Sequence, residues 1–102
     1  MYTHPQYDRE QARQRRKEVG QWVKKKRLET EKTQRELAAE IGFAYYTMIS
    51  QIETGHTRIP PEAMEAYAKA LNVNTQEFVK TLMHYYDPVT WSLLFGPDAP
   101  NS

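Results

Sequence analysis

The sequence contains no cysteine. That removes disulfide staples and thiolate metal sites, and it fits a reducing compartment. No apolar run comes near the roughly 20 residues that a membrane span requires. The opening stretch MYTHPQYDRE has no apolar segment of the kind a secretory leader carries. Sustained strand-type alternation is absent too, so no sheet is expected. The three histidines, His4, His56 and His84, lie far apart and lack metal-ligand spacing. There is no glycine-rich phosphate loop and no arguable Ser-His-Asp set. Glu62 and Glu65 resemble paired carboxylates but suit an exposed helix face better. These absences leave no basis for expecting catalysis, a metal or a cofactor.

What remains is a chain of 102 residues, enough for one domain with a modest core. With 39% hydrophobic and 26% charged residues, wholesale disorder is not expected. The net charge of +1 conceals a division. Residues 1 to 35 carry 11 Lys/Arg against 5 Asp/Glu, whereas residues 36 to 102 carry 3 against 8. A basic front, with the clusters RQRRK and KKKR, on an acidic body points to a polyanion partner. The alternative is that the two halves simply attract each other.

Proline and glycine punctuate a helical pattern. Residues 1 to 18 form a basic extension, with a loose start near Pro5 and a helix-favouring but stripe-free run DREQARQRRKE. Gly20 is placed at a bend. A first core helix is predicted from about Val19 to Glu29, with Val19, Val23 and Trp22 inward. Thr33 and Glu36 make a capping box that opens a second helix, ended by Gly42. A third helix starts near Ala44 or Tyr45 and stops at Gly55. Pro60 and Pro61 open a fourth, to about Leu71. Asn74 and Glu77 cap a fifth, through about Tyr86. Asp87 and Pro88 lead into a short aromatic helix, PVTWSLLF, followed by a frayed tail.

The second and third helices, joined by a tight glycine corner, form a helix-turn-helix unit. The third carries Tyr45, Tyr46, Thr47 and Ser50 where a surface helix usually carries Lys, Glu and Arg. Such a helix fits the DNA major groove, about 12 Å wide, where hydroxyls donate and accept and methyl or ring carbons meet thymine. Tyr45 and Tyr46 also have a plain structural reading, packing of the turn.

The stretch RLETEKTQRELAAEIGFAYYTMISQIETG resembles the helix-turn-helix of the Cro and phage-repressor (XRE-type) transcriptional regulators. Arg27, Gln34, Leu37, Ala38, Gly42, Ile49, Ile52, Glu53 and Gly55 carry the likeness, which extends over about residues 19 to 79. The resemblance implies an all-α fold: a five-helix, lambda-repressor-like domain over residues 19 to 86. Before it lies the basic extension, and after it the aromatic helix within a C-terminal dimerisation segment and tail, residues 87 to 102. Base contacts are expected from Tyr45, Tyr46, Thr47, Ser50 and Gln51. Backbone contacts are expected from Thr33, Gln34, Arg35 and Lys24, from His56, Thr57 and Arg58, and from Arg15 and Arg16 of the extension. Arg27 and Glu53 are expected to pair and fix the angle between helices.

Two positions depart from the family pattern. Eleven steps separate Gly42 from Glu53 instead of ten, which places an extra residue among Phe43, Ala44 and Tyr45 and leaves the contact register open by one. Phe43 is the candidate anchor of that longer turn. Lys32 stands where an apolar residue is usual, with Leu28 or Trp22 as candidates to cover the spot.

One such unit spans only a few base pairs, so a homodimer reading a two-fold site is expected. Tyr85, Tyr86, Trp91, Leu93, Leu94 and Phe95 are the candidates for its contact, against the alternative that this segment folds back on its own core. The leading reading is a cytoplasmic, nucleoid-associated repressor with double-stranded DNA as partner. The rivals are an antitoxin or autoregulator that also binds a protein partner, and a protein-interaction adaptor that never touches DNA.

Overall fold

The computed structural model describes residues 5–96, with side chains from Asp8 onward; His4 and most of the tail expected to fray lie outside that range. The described residues form six helices and no strand: α1 (Pro5–Glu29), α2 (Gln34–Ile41), α3 (Thr47–Thr54), α4 (Pro61–Ala70), α5 (Thr75–Tyr86) and α6 (Pro88–Phe95).

The first helix differs most from the reading of the sequence. It starts at Pro5, not Val19, and spans 25 residues without a break at Gly20. At 1.5 Å per residue that is about 37 Å of rod. The extension stays helical because it is docked as well as helix-favouring. Arg15 Nε donates to the Tyr85 carbonyl at 3.2 Å, and Arg16 Nε donates to the Gly55 carbonyl at 3.0 Å. Both acceptors lie at the C-terminal ends of helices, where a cation is favoured by the helix dipole.

Gly20 is needed for proximity. A Cβ there would lie 2.5 Å from the Glu53 carbonyl oxygen and 2.6 Å from that of Ile52. Gly55 repeats the device from the other side: its Cβ would meet the Lys17 backbone at 2.7 Å. Gly55 also has φ 84°, a left-handed value that ends α3 and disfavours any side chain. These two glycines let α1 lie directly on the end of α3.

The core gathers where α1, α3, α4 and α5 converge. Val19, Val23, Leu37, Ile49, Ile52, Ile59, Tyr67, Phe78 and Leu82 are fully buried. A row of rings crosses it, Trp22 stacked on Phe78, Phe78 on Tyr67, and Phe43 edge-on to Tyr67. Trp22 is thus committed to Phe78, and Leu28 is 56% exposed, so neither covers the place of Lys32. Lys32 fills it with its own ammonium, which donates to Glu40 at 2.7 Å and to the Ala70 carbonyl, joining α2 to the end of α4.

The C-terminal segment divides. Tyr86 is buried, its hydroxyl accepting from the Ile59 amide at 3.1 Å, and burial raises its phenolic pKa above the usual value. Trp91 is buried against His84 and Phe95. These two expected dimer residues are therefore taken up inside the chain's own fold, because α6 returns across α5. Tyr85 is half-buried, its ring edge-on to His84. Leu93, Leu94 and Phe95 stay exposed, as does Val89.

Candidate nucleic-acid interface

The corner between α2 and α3 is built residue by residue. Thr33 Oγ1 accepts from the Glu36 amide at 3.0 Å while the Glu36 carboxylate accepts from the Thr33 amide at 2.9 Å. Those bonds hold the Glu36 carboxyl below its ordinary pKa. Gly42, at φ 99°, ends α2, and the Phe43 amide donates to the Ala38 carbonyl at 2.9 Å. Phe43 is half-buried against Tyr67, as its anchoring role requires. The helix α3 then begins only at Thr47, so the extra residue is absorbed ahead of it, in the turn.

Behind the corner, Arg27 and Glu53 meet as a buried, two-pronged pair, at 2.7 and 3.1 Å. The Glu53 carboxylate keeps the Arg27 guanidinium more firmly protonated than usual, against the opposing pull of burial. Arg27 also donates to the Lys32 carbonyl at 2.8 Å. Gln34 joins the cluster, its amide donating to Glu53 Oε1 at 3.0 Å. The residue expected on a phosphate is thus half-buried and oriented by the ion pair. The pair sets the angle between α1, α2 and α3 more than it adds stability, since desolvation offsets much of its attraction.

The outward face of α3 carries Thr47, Gln51 and Thr54, all exposed, with Ser50 half-exposed between them. Ile49, Ile52 and Glu53 occupy the inward face. Tyr45 is 75% exposed and stands ahead of the helix, whereas Tyr46 is its N-terminal cap residue, with Arg35 stacked over its ring at 4.2 Å. Of the five residues expected at bases, Thr47, Ser50 and Gln51 share the outward face of α3, while Tyr45 and Tyr46 precede it and line a hollow with Arg35 and Phe43. No exposed carboxylate lies on α3, because its single acid, Glu53, is buried and neutralised.

The expected backbone contacts are distributed unevenly. Thr33, Gln34 and Arg35 stand at the start of α2, and Lys24 borders the same trough as Gln34 and Ser50. Past the end of α3, Thr54 Oγ1 and His56 Nδ1 lie 2.8 Å apart, and Thr57 is half-buried. Arg58 is held elsewhere, bonded at 2.8 and 3.3 Å to the Asp87 carboxylate and stacked over Tyr86. Arg15 and Arg16 point onto the body. The other two cations of the RQRRK cluster, Arg13 and Lys17, are exposed on the side of α3.

Among the described residues there is no cluster of His, Asp or Glu suited to a metal, and no helix is long and apolar enough to cross a membrane. A family model described as helix-turn-helix (HTH_3) matches residues 23–78, more than half of the chain. Comparison with curated proteins and with solved structures gave no match.

Proposed function

Since the chain belongs to the Cro/C1-type helix-turn-helix family of DNA-binding transcriptional regulators, we propose that it is a dimeric, sequence-specific repressor. It reads a two-fold operator by placing α3 in the major groove. The observation that carries this reading is the uncharged, hydrogen-bonding face of Thr47, Gln51 and Thr54, exposed, with Ser50 half-exposed among them, Lys24 beside it and Arg35 over the Tyr46 ring at its start. Groups of this kind match base edges, and the flanking cations match phosphates. With DNA as partner, the protein works in the cytoplasm on the nucleoid.

The dimer contact on this reading is the exposed part of α6: Val89, Leu93, Leu94 and Phe95, with 72%, 82%, 62% and 46% of their surfaces open. The same surface favours one second reading, an autoregulator that also grips a protein partner there.

The test starts with selection of bound fragments from random duplex DNA, where a palindrome of fixed spacing is the expected result. On that site Thr47→Ala or Tyr46→Ala is expected to cost about 1–3 kcal/mol, and little on unrelated duplexes. Lys24→Ala is expected to weaken all duplexes alike and lower the salt dependence. Uniform losses from both kinds of substitution would reject α3 as the reading element.

A further inference from the structure

Resting on the placement of α3 against DNA, we propose that the outward stripe of α1 is a rigid second contact line for duplex phosphates. Its cations are Arg9, Arg13, Lys17 and Lys24. The family match begins at Val23, so three of the four lie outside it.

Spacing puts these residues together. Arg9, Arg13 and Lys17 follow at four-residue steps and Lys24 at a further seven, so all four share one side of the helix. That side faces the reading element. Arg13 and Lys17, with Glu10 and Gln14, form one wall of a concave surface whose other wall is Thr54 and His56. Lys17 and Lys24 then border the adjoining surface with Gln34, Ser50 and Thr54. Lys17 and Thr54 belong to both, so one trough runs between α1 and α3.

The charges are available as well as aligned. None of the four cations forms an ion pair among the described residues, whereas Arg27 pairs with Glu53 and Lys26 with Glu29. Two carboxylates border the trough, Glu10 on its rim and Glu53 at its wall, the latter already paired with Arg27. The rod is fixed in place by the close approach of Gly20 and Gly55 and by the hydrogen bond from Arg16 to Gly55. From Arg13 to Lys24 it spans about 16 Å, roughly five base-pair steps along a strand. A preset line of cations at that length adds affinity without sequence preference, and no ordering of a loose arm is needed when it binds.

The experiment measures binding of the full chain to a selected duplex and to a 30-base-pair duplex of random sequence, across salt concentrations. Arg13→Gln with Lys17→Gln is compared with Lys69→Gln with Lys80→Gln, which removes the same charge from exposed sites on α4 and α5. With each phosphate contact contributing about 0.9 to the slope of log K against log salt, the stripe variant is expected to lose about 1.8 in slope for each bound protomer, about 3.6 for the dimer. At about 0.1 M salt its binding to both duplexes falls at least tenfold. The control variant keeps the wild-type slope, and the charge-preserving Arg13→Lys with Lys17→Arg restores it. Circular dichroism melts confirm that each variant is folded. Equal slopes in the two charge-removing variants overturn the proposal. Failure of the wild type to bind any duplex instead overturns the DNA reading on which it rests.

Discussion

Glycine 20 sets the position of the first helix by having no side chain. In an ordinary helix, replacing glycine by alanine stabilises by about 0.5–1 kcal/mol. Here the added methyl would meet two backbone carbonyls, of Ile52 and Glu53, at 2.6 and 2.5 Å. Backbone atoms at the end of α3 have no rotamer to escape into, so α1 must lift. Gly20→Ala is therefore expected to destabilise by about 1–3 kcal/mol in a denaturant titration. A more stable variant would remove the close approach. The sequence shows this glycine but not its use, because only the crossing of α1 over α3 turns a helix-weakening residue into a requirement. The neighbouring Arg27–Glu53 pair was legible, since residue type and family position agreed. Its third member was not: Gln34 has the same place in the pattern whether its amide faces phosphate or Glu53.

At the scale of elements, sequence punctuation located the helices well wherever a cap or breaker is local chemistry. The capping box at Thr33, glycine at 42 and 55, proline at 61 and asparagine at 74 all stand where helices start or stop. The start of α1 falls on Pro5, a first-turn signal of the same kind, but no apolar stripe follows it to mark a helix. That half-helix is held by Arg15 and Arg16 reaching carbonyls distant in sequence. The cap of α2 gives a pH prediction. Bonds from Thr33 lower the folded pKa of Glu36 below its ordinary 4.5. A carboxyl lowered on folding stabilises above its unfolded pKa, and that contribution disappears as pH falls through the folded value. The gap in melting temperature between wild type and Glu36→Ala is thus expected to be full at pH 7 and to close below about pH 4. A gap unchanged at pH 3 would show that the carboxylate charge is not what caps α2.

For the whole molecule, the decisive feature is how the apolar residues of the last segment are divided. From the sequence, six large residues formed one candidate dimer surface. Folding sorts them, because α6 doubles back on α5 and buries Trp91 beside the already buried Tyr86. Val89, Leu93, Leu94 and Phe95 are left exposed on a helix that carries no charge. A helix that is apolar on both sides has a place for each only if something covers the second. In the proposed dimer a second copy covers it with two-fold symmetry, the arrangement that reads half-sites about 34 Å apart. Leu93→Ser with Leu94→Ser removes four leucines per dimer. At about 1.5 kcal/mol each, that weakens association by more than a thousandfold. Both side chains are exposed in the protomer, so the variant is expected to fold and to run as a monomer in sedimentation at micromolar concentration. It is also expected to protect a single half-site only at high concentration, where the wild type protects both together. A folded variant that remained dimeric would place the contact on another face.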